Sequence, residues 1–224
     1  MSGSALKMAH SYPAGGGAGS QPDQDRRSRT ATLGLRVFLA VVSSFFFLFL
    51  IAFIARSQLA DWQPLTEPAA PLSRLEPLWL NTLVLMLGSL ALQWARVAAG
   101  QDRRLESLAG CLLGGFCALV FIAGQLWLWR SFVIQGYGFT ANPANSFFFL
   151  LTGLHGLHLL GGLVAWARTL WRYVRGLGLD RIRPGLSLCA IYWHYLLALW
   201  LLLFLLLSSS PETYQTIAAL CGLR

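Results

Sequence analysis

Five long apolar runs dominate the chain and leave few folds open to it. They lie at about 33–55 ("LGLRVFLAVVSSFFFLFLIAFIA"), 77–97 ("PLWLNTLVLMLGSLALQWARV"), 107–129 ("SLAGCLLGGFCALVFIAGQLWLW"), 145–170 ("NSFFFLLTGLHGLHLLGGLVAWARTL") and 186–208 ("LSLCAIYWHYLLALWLLLFLLLS"). A helix crosses the hydrocarbon core in about 20 apolar residues. Backbone exposed to lipid must satisfy its own hydrogen bonds, and these runs do not alternate as barrel strands do. The expected fold is an all-α membrane protein, a bundle of five transmembrane helices over residues 33–208. A disordered tail, 1–32, precedes it and a short tail, 209–224, follows. Only 12% of the residues are charged, against about 25% in soluble domains.

The net charge of +8 comes from arginines between the apolar runs rather than on one helical face. It therefore reads as membrane topology, with no nucleic-acid partner. Lys7, Arg26, Arg27, Arg29 and Arg36 precede or open the first run. Arg96, Arg103 and Arg104 follow the second, and Arg168, Arg172, Arg175, Arg181 and Arg183 follow the fourth. Only Arg56, Arg74, Arg130 and Arg224 fall on the other side. The positive-inside rule predicts a cytoplasmic N-terminus and an outside C-terminus. Small residues predict close helix contacts: Gly114, Gly115 and Gly124 in the third run, and Gly153, Gly156, Gly161 and Gly162 in the fourth.

All nine acidic residues lie in tails, loops or segment edges. Proton pumps and ion-coupled transporters usually place carboxylates inside the bundle, so an independent transporter is disfavoured. The four cysteines form no CxxC pair and read as apolar filler. No nucleophile–base pair or metal set marks the chain as an enzyme.

In "TGLHGLHLLGG" (152–162), His155 and His158 are three residues apart on one helix and share a face. His194 lies on the next helix. His158 and His194 sit at similar depth, roughly 15 Å from one end at 1.5 Å per residue. Haem needs facing ligands and zinc needs three or four, so the expected role is interhelical hydrogen bonding, with His158 and His194 meeting. Asn81 and Trp94 join them as expected interhelix polar groups. Trp127, Trp129, Trp166, Trp171 and Tyr173 read as interfacial belt residues. Tyr192 and Trp193 are expected to contact lipid or another subunit. At headgroup level, Arg96, Arg103, Arg181 and Arg183 are candidates for the same contacts.

Three stretches carry a family resemblance: "GLHGLHLLGG" (153–162), "YWHYLLALW" (192–200) and "LEPLWLNTLVLMLGSLALQWAR" (75–96), with "NSFFF" (145–149) and "QDRR" (101–104) in matching order. They resemble subunit III of the haem–copper terminal oxidases, cytochrome c oxidase in particular, in its short five-helix bacterial form. The resemblance implies a non-catalytic subunit of the bacterial cytoplasmic (inner) membrane, in aerobic electron transport. It would have no cofactor of its own, with haem and copper in partner subunits. It would pack against subunit I, beside subunit II, and bind phospholipid. Family acids are replaced here by Ser43, Leu128, Ser187 and Leu197, which argues against a carboxylate-dependent proton role and leaves scaffold and lipid roles intact. A subunit-III-like component of a nitric oxide reductase is the alternative.

Overall fold

The computed structural model describes residues 21–59, 61–63, 65, 76–139, 142–220 and 222. Six helices follow one another: α1 (Gln21–Arg56), α2 (Glu76–Gly100), α3 (Arg104–Ile134), α4 (Pro143–Val174), α5 (Leu179–Leu207) and α6 (Pro211–Leu220). The first five are long and apolar enough to cross a membrane. Each contains most of one expected run and extends past it at one end or both. A nucleated helix propagates at little cost into flanking residues that favour it. So the tail expected to be disordered up to 32 is helical from Gln21, while residues 1–20 lie outside the described residues. The tail expected after 208 contains α6, which opens with Pro211 and Glu212, as helix starts do.

The core of the bundle is the α2–α3 hairpin, packed more extensively than any other pair. The turn between them is tight, and Asp102 sits in it at φ 61°, a left-handed conformation that Asp tolerates. A Cβ on Gly110 would stand 2.8 Å from the Ala91 carbonyl oxygen, and one on Gly88 2.9 Å from the Cys117 Cβ. The two backbones approach this closely only because the side chains are missing, the usual basis of helix association in lipid.

α5 packs against both α2 and α4, and α3 against α4. On α5, Trp193 and Trp200 are 0% and 1% exposed. α1 lies at the edge, lightly touching α4, α5 and α6. At one end it is well held. Phe53 is 0% exposed and meets Trp62, Phe147 and Tyr214 edge-on, at ring-centroid distances of 5.0, 5.7 and 5.4 Å. Tyr214 of α6 donates to the Leu206 carbonyl at 2.7 Å, capping α5. Burial raises the Tyr214 phenol above its ordinary pKa.

Candidate functional site

Polar side chains inside the bundle join the helices pair by pair. Asn81 Nδ2 donates to Gln125 Oε1 at 3.2 Å, linking α2 to α3. Trp200 Nε1 donates to Thr82 Oγ1 at 3.0 Å, and Ser89 Oγ lies 3.1 Å from His194 Nδ1, both linking α2 to α5. Trp129 Nε1 donates to Thr152 Oγ1 at 3.1 Å, and Trp166 Nε1 to the Cys111 carbonyl at 2.8 Å, linking α3 to α4. In a low-dielectric interior each such bond spares a polar group a costly burial.

The histidines divide differently from the expectation. His158 does not meet His194. Its Nδ1 lies 2.8 Å from the Leu154 carbonyl of its own helix, and its ring faces Phe46 of α1 at 5.6 Å. His194 turns to α2 instead. His155 is 0% exposed, tilted against Trp200 at 5.1 Å and edge-on to Phe121 at 5.8 Å. Neither of its ring nitrogens has a hydrogen-bond partner, so it packs among aromatics rather than making the interhelical bond expected of it. Among the described residues no three His, Cys, Asp or Glu side chains group so as to hold a metal ion. Trp94 is 46% exposed on the outside of α2, not in the interhelix seam. Trp193, expected at a lipid or subunit surface, is instead buried over Gly162, where a Cβ would come 3.1 Å from its ring.

At the arginine-rich end, two arginines tie the α2–α3 turn to the α4–α5 turn. Arg104 donates to the carbonyl of Leu177, in the α4–α5 turn, at 2.7 Å and to that of Tyr173, near the end of α4, at 3.1 Å. The Tyr173 hydroxyl is 2.5 Å from Ser107 Oγ, which donates to the Ala95 carbonyl at 2.8 Å. Arg183 Nε donates to the Ala99 carbonyl at 2.8 Å, and its guanidinium pairs with Asp102 and Asp180. Arg183, expected at lipid or a subunit, thus works within the fold. Arg103 pairs with Glu106 at 3.3 Å, while Arg96 and Arg181 are exposed.

Beside this clasp, α1, α4 and α5 line an open-sided cavity of about 380 Å³. Leu35, Phe38 and Leu188 give it apolar walls; Gly161, Gly162 and Ala165 leave room on α4; Arg168 and Arg172 stand at its edge. The Arg172 guanidinium reaches the Arg181 carbonyl at 3.3 Å. No described acidic side chain pairs with Arg168 or Arg172. Tyr192 lines the cavity too, donating to the His158 carbonyl at 2.9 Å. The arrangement offers two positive charges above an apolar chamber, the profile of an amphiphilic anion. Arg168 and Arg172 were readable only as topology charges. The signal that marks them is the stripe 161, 165, 168, 172, small residues leading to arginines at helical spacing.

Comparison with known proteins gives consistent results. The family model described as cytochrome c oxidase subunit III matches residues 25–209. A cytochrome c oxidase subunit 3 from Thermostichus vulcanus is 29% identical over 177 residues, covering 78% of this chain and 85% of that protein. A probable cytochrome c oxidase subunit 3 from Mycobacterium tuberculosis strain H37Rv is 29% identical over 184 residues, covering 80% and 87%. One from Nocardia farcinica is 30% identical over 196 residues, covering 80% and 87%.

Proposed function

The chain belongs to the cytochrome c oxidase subunit III family, and from that premise we propose that it is the non-catalytic subunit III of a haem–copper terminal oxidase, bracing the catalytic subunit I and holding a phospholipid in the cavity between α1, α4 and α5. It is a multi-pass membrane protein and a subunit of an oxidase complex. Our reading places it in the bacterial cytoplasmic membrane, N-terminus inside and C-terminus outside, with subunit II in the same complex. It assigns haem and copper to the partner subunits and no cofactor to this chain.

The observation that carries the lipid role is the cavity. Its arginine edge matches a phosphate at headgroup depth, and its apolar walls match acyl chains. The rigid α2–α3 hairpin supports the bracing role, since a scaffold needs a helix pair that does not shear.

The test is purification of the tagged chain from native membranes. It should bring down a partner with a haem spectrum, together with phospholipid that survives mild detergent. An Arg168→Gln/Arg172→Gln variant should keep the haem partner and lose the lipid, while inorganic phosphate should not displace the lipid from the wild type. Purification without any haem-containing partner overturns the assignment. Undiminished lipid in the double variant overturns the cavity role.

A further inference from the structure

α1 is held unequally along its length. Its buried residues begin at Val42 and continue through Phe46, Leu50 and Phe53. Before Val42 no described side chain of α1 is buried, and this is the half that walls the cavity, through Leu35 and Phe38. The boundary between the two halves carries a serine pair. Ser43 Oγ donates to the Leu39 carbonyl at 2.8 Å, and Ser44 Oγ to the Ala40 carbonyl at 3.0 Å. A hydroxyl that bonds back four residues competes with the backbone ladder and lets a helix bend, and serine pairs are recognised kink sites. One side-chain pair pins α1 to α5 at this level, between Ser43 Oγ and Tyr195 OH at 2.9 Å.

We propose that the loosely packed half of α1 is a hinged wall that bends at Ser43 and Ser44 to let an anionic phospholipid into and out of the cavity between α1, α4 and α5. This rests on the cavity reading above. The far half stays seated on the Phe53 aromatic cluster, so the motion is confined to the end where the arginines stand. Tyr195 serves as the latch: its hydroxyl reaches both Ser43 and, at 3.3 Å, the Leu39 carbonyl.

The experiment follows lipid exchange in the intact purified complex. Nanodiscs of phosphatidylglycerol are transferred into deuterated phosphatidylglycerol, and retained lipid is weighed by native mass spectrometry over time. Ser44→Ala, which leaves the Tyr195 latch untouched, should slow exchange, and Ser44→Gly should speed it. The spread should be roughly fivefold, the Ala–Gly difference in helix propensity. Tyr195→Phe should also speed exchange. Equal rates in wild type and all three variants, with lipid bound in each, overturn the hinge and leave the cavity reading standing. Absence of bound lipid in the wild type overturns both.

Discussion

At Gly110 a Cβ would lie 2.8 Å from the Ala91 carbonyl oxygen, 2.9 Å from the Ala95 Cβ and 3.0 Å from the Ala95 nitrogen. Two of those atoms belong to the α2 backbone, which cannot swing aside as a side chain can. Gly110→Ala should therefore cost about 1–3 kcal/mol, the usual range for overpacking. Thermal unfolding of the purified variant checks this. Gly156→Ala, where a Cβ would meet nothing within 4 Å, is the control and should unfold at or above the wild-type temperature. Residue types and depths were readable before the structure; facing directions were not. The sequence places His158 and His194 at matching levels. But depth along an axis says nothing about which neighbour a ring faces, and one turns to α1 while the other turns to α2. The buried position of Trp193 escapes for the same reason. Asn81 needed only a polar partner at its level, and Gln125 supplies it.

Among the elements, α4 depends on a residue outside itself. The Tyr173 carbonyl near its end and the Leu177 carbonyl in the turn that follows both accept from the Arg104 guanidinium at the start of α3. Charge-assisted bonds of this kind contribute about 2 kcal/mol together. Arg104→Gln should lose about that much, and Arg104→Lys, which cannot fork to two carbonyls, should recover only part of it. Faster hydrogen exchange at residues 173–179 is the expected signature. An ion pair at the end of α1 carries another prediction. Arg56 donates to both oxygens of Asp61, at 2.7 and 2.5 Å, holding that carboxyl below its ordinary pKa. A depressed carboxylate stabilises the fold above its unfolded pKa, about 3.9, and the contribution is lost as pH falls through the folded value. The Arg56 end of α1 should loosen only below about pH 4, and Asp61→Asn should abolish that acid dependence in a pH series of tryptophan fluorescence. The existence of all five spans followed from length and hydropathy. The clasps at their ends did not, because arginines that set topology and arginines that cap a neighbouring helix look alike in a one-dimensional sequence.

On the scale of the whole molecule, a closely packed four-helix body carries one loosely held helix and a short helix, α6, that meets it at one end through Tyr214 and Phe53. The division was partly legible. The glycines of the third run foretold the tight body, and Gly114, Gly115 and Gly124 all sit against a neighbour, whereas Gly156 and Gly161 of the fourth run face open space. The helices also overshoot the membrane. α4 has 32 residues, about 48 Å at 1.5 Å per residue, against roughly 30 Å of hydrocarbon. At its C-terminal end the surplus turns carry Trp166, Arg168, Trp171 and Arg172, groups that tolerate either water or headgroups. A thicker bilayer can therefore rise along them, and a thinner one can settle, without stripping polar backbone bare. Hydrophobic mismatch costs only fractions of a kcal/mol per ångström when a helix can tilt or slide in this way. The same chain is thus fitted to membranes whose thickness drifts with temperature and lipid supply, and its arginine collar marks the level to which the bilayer returns.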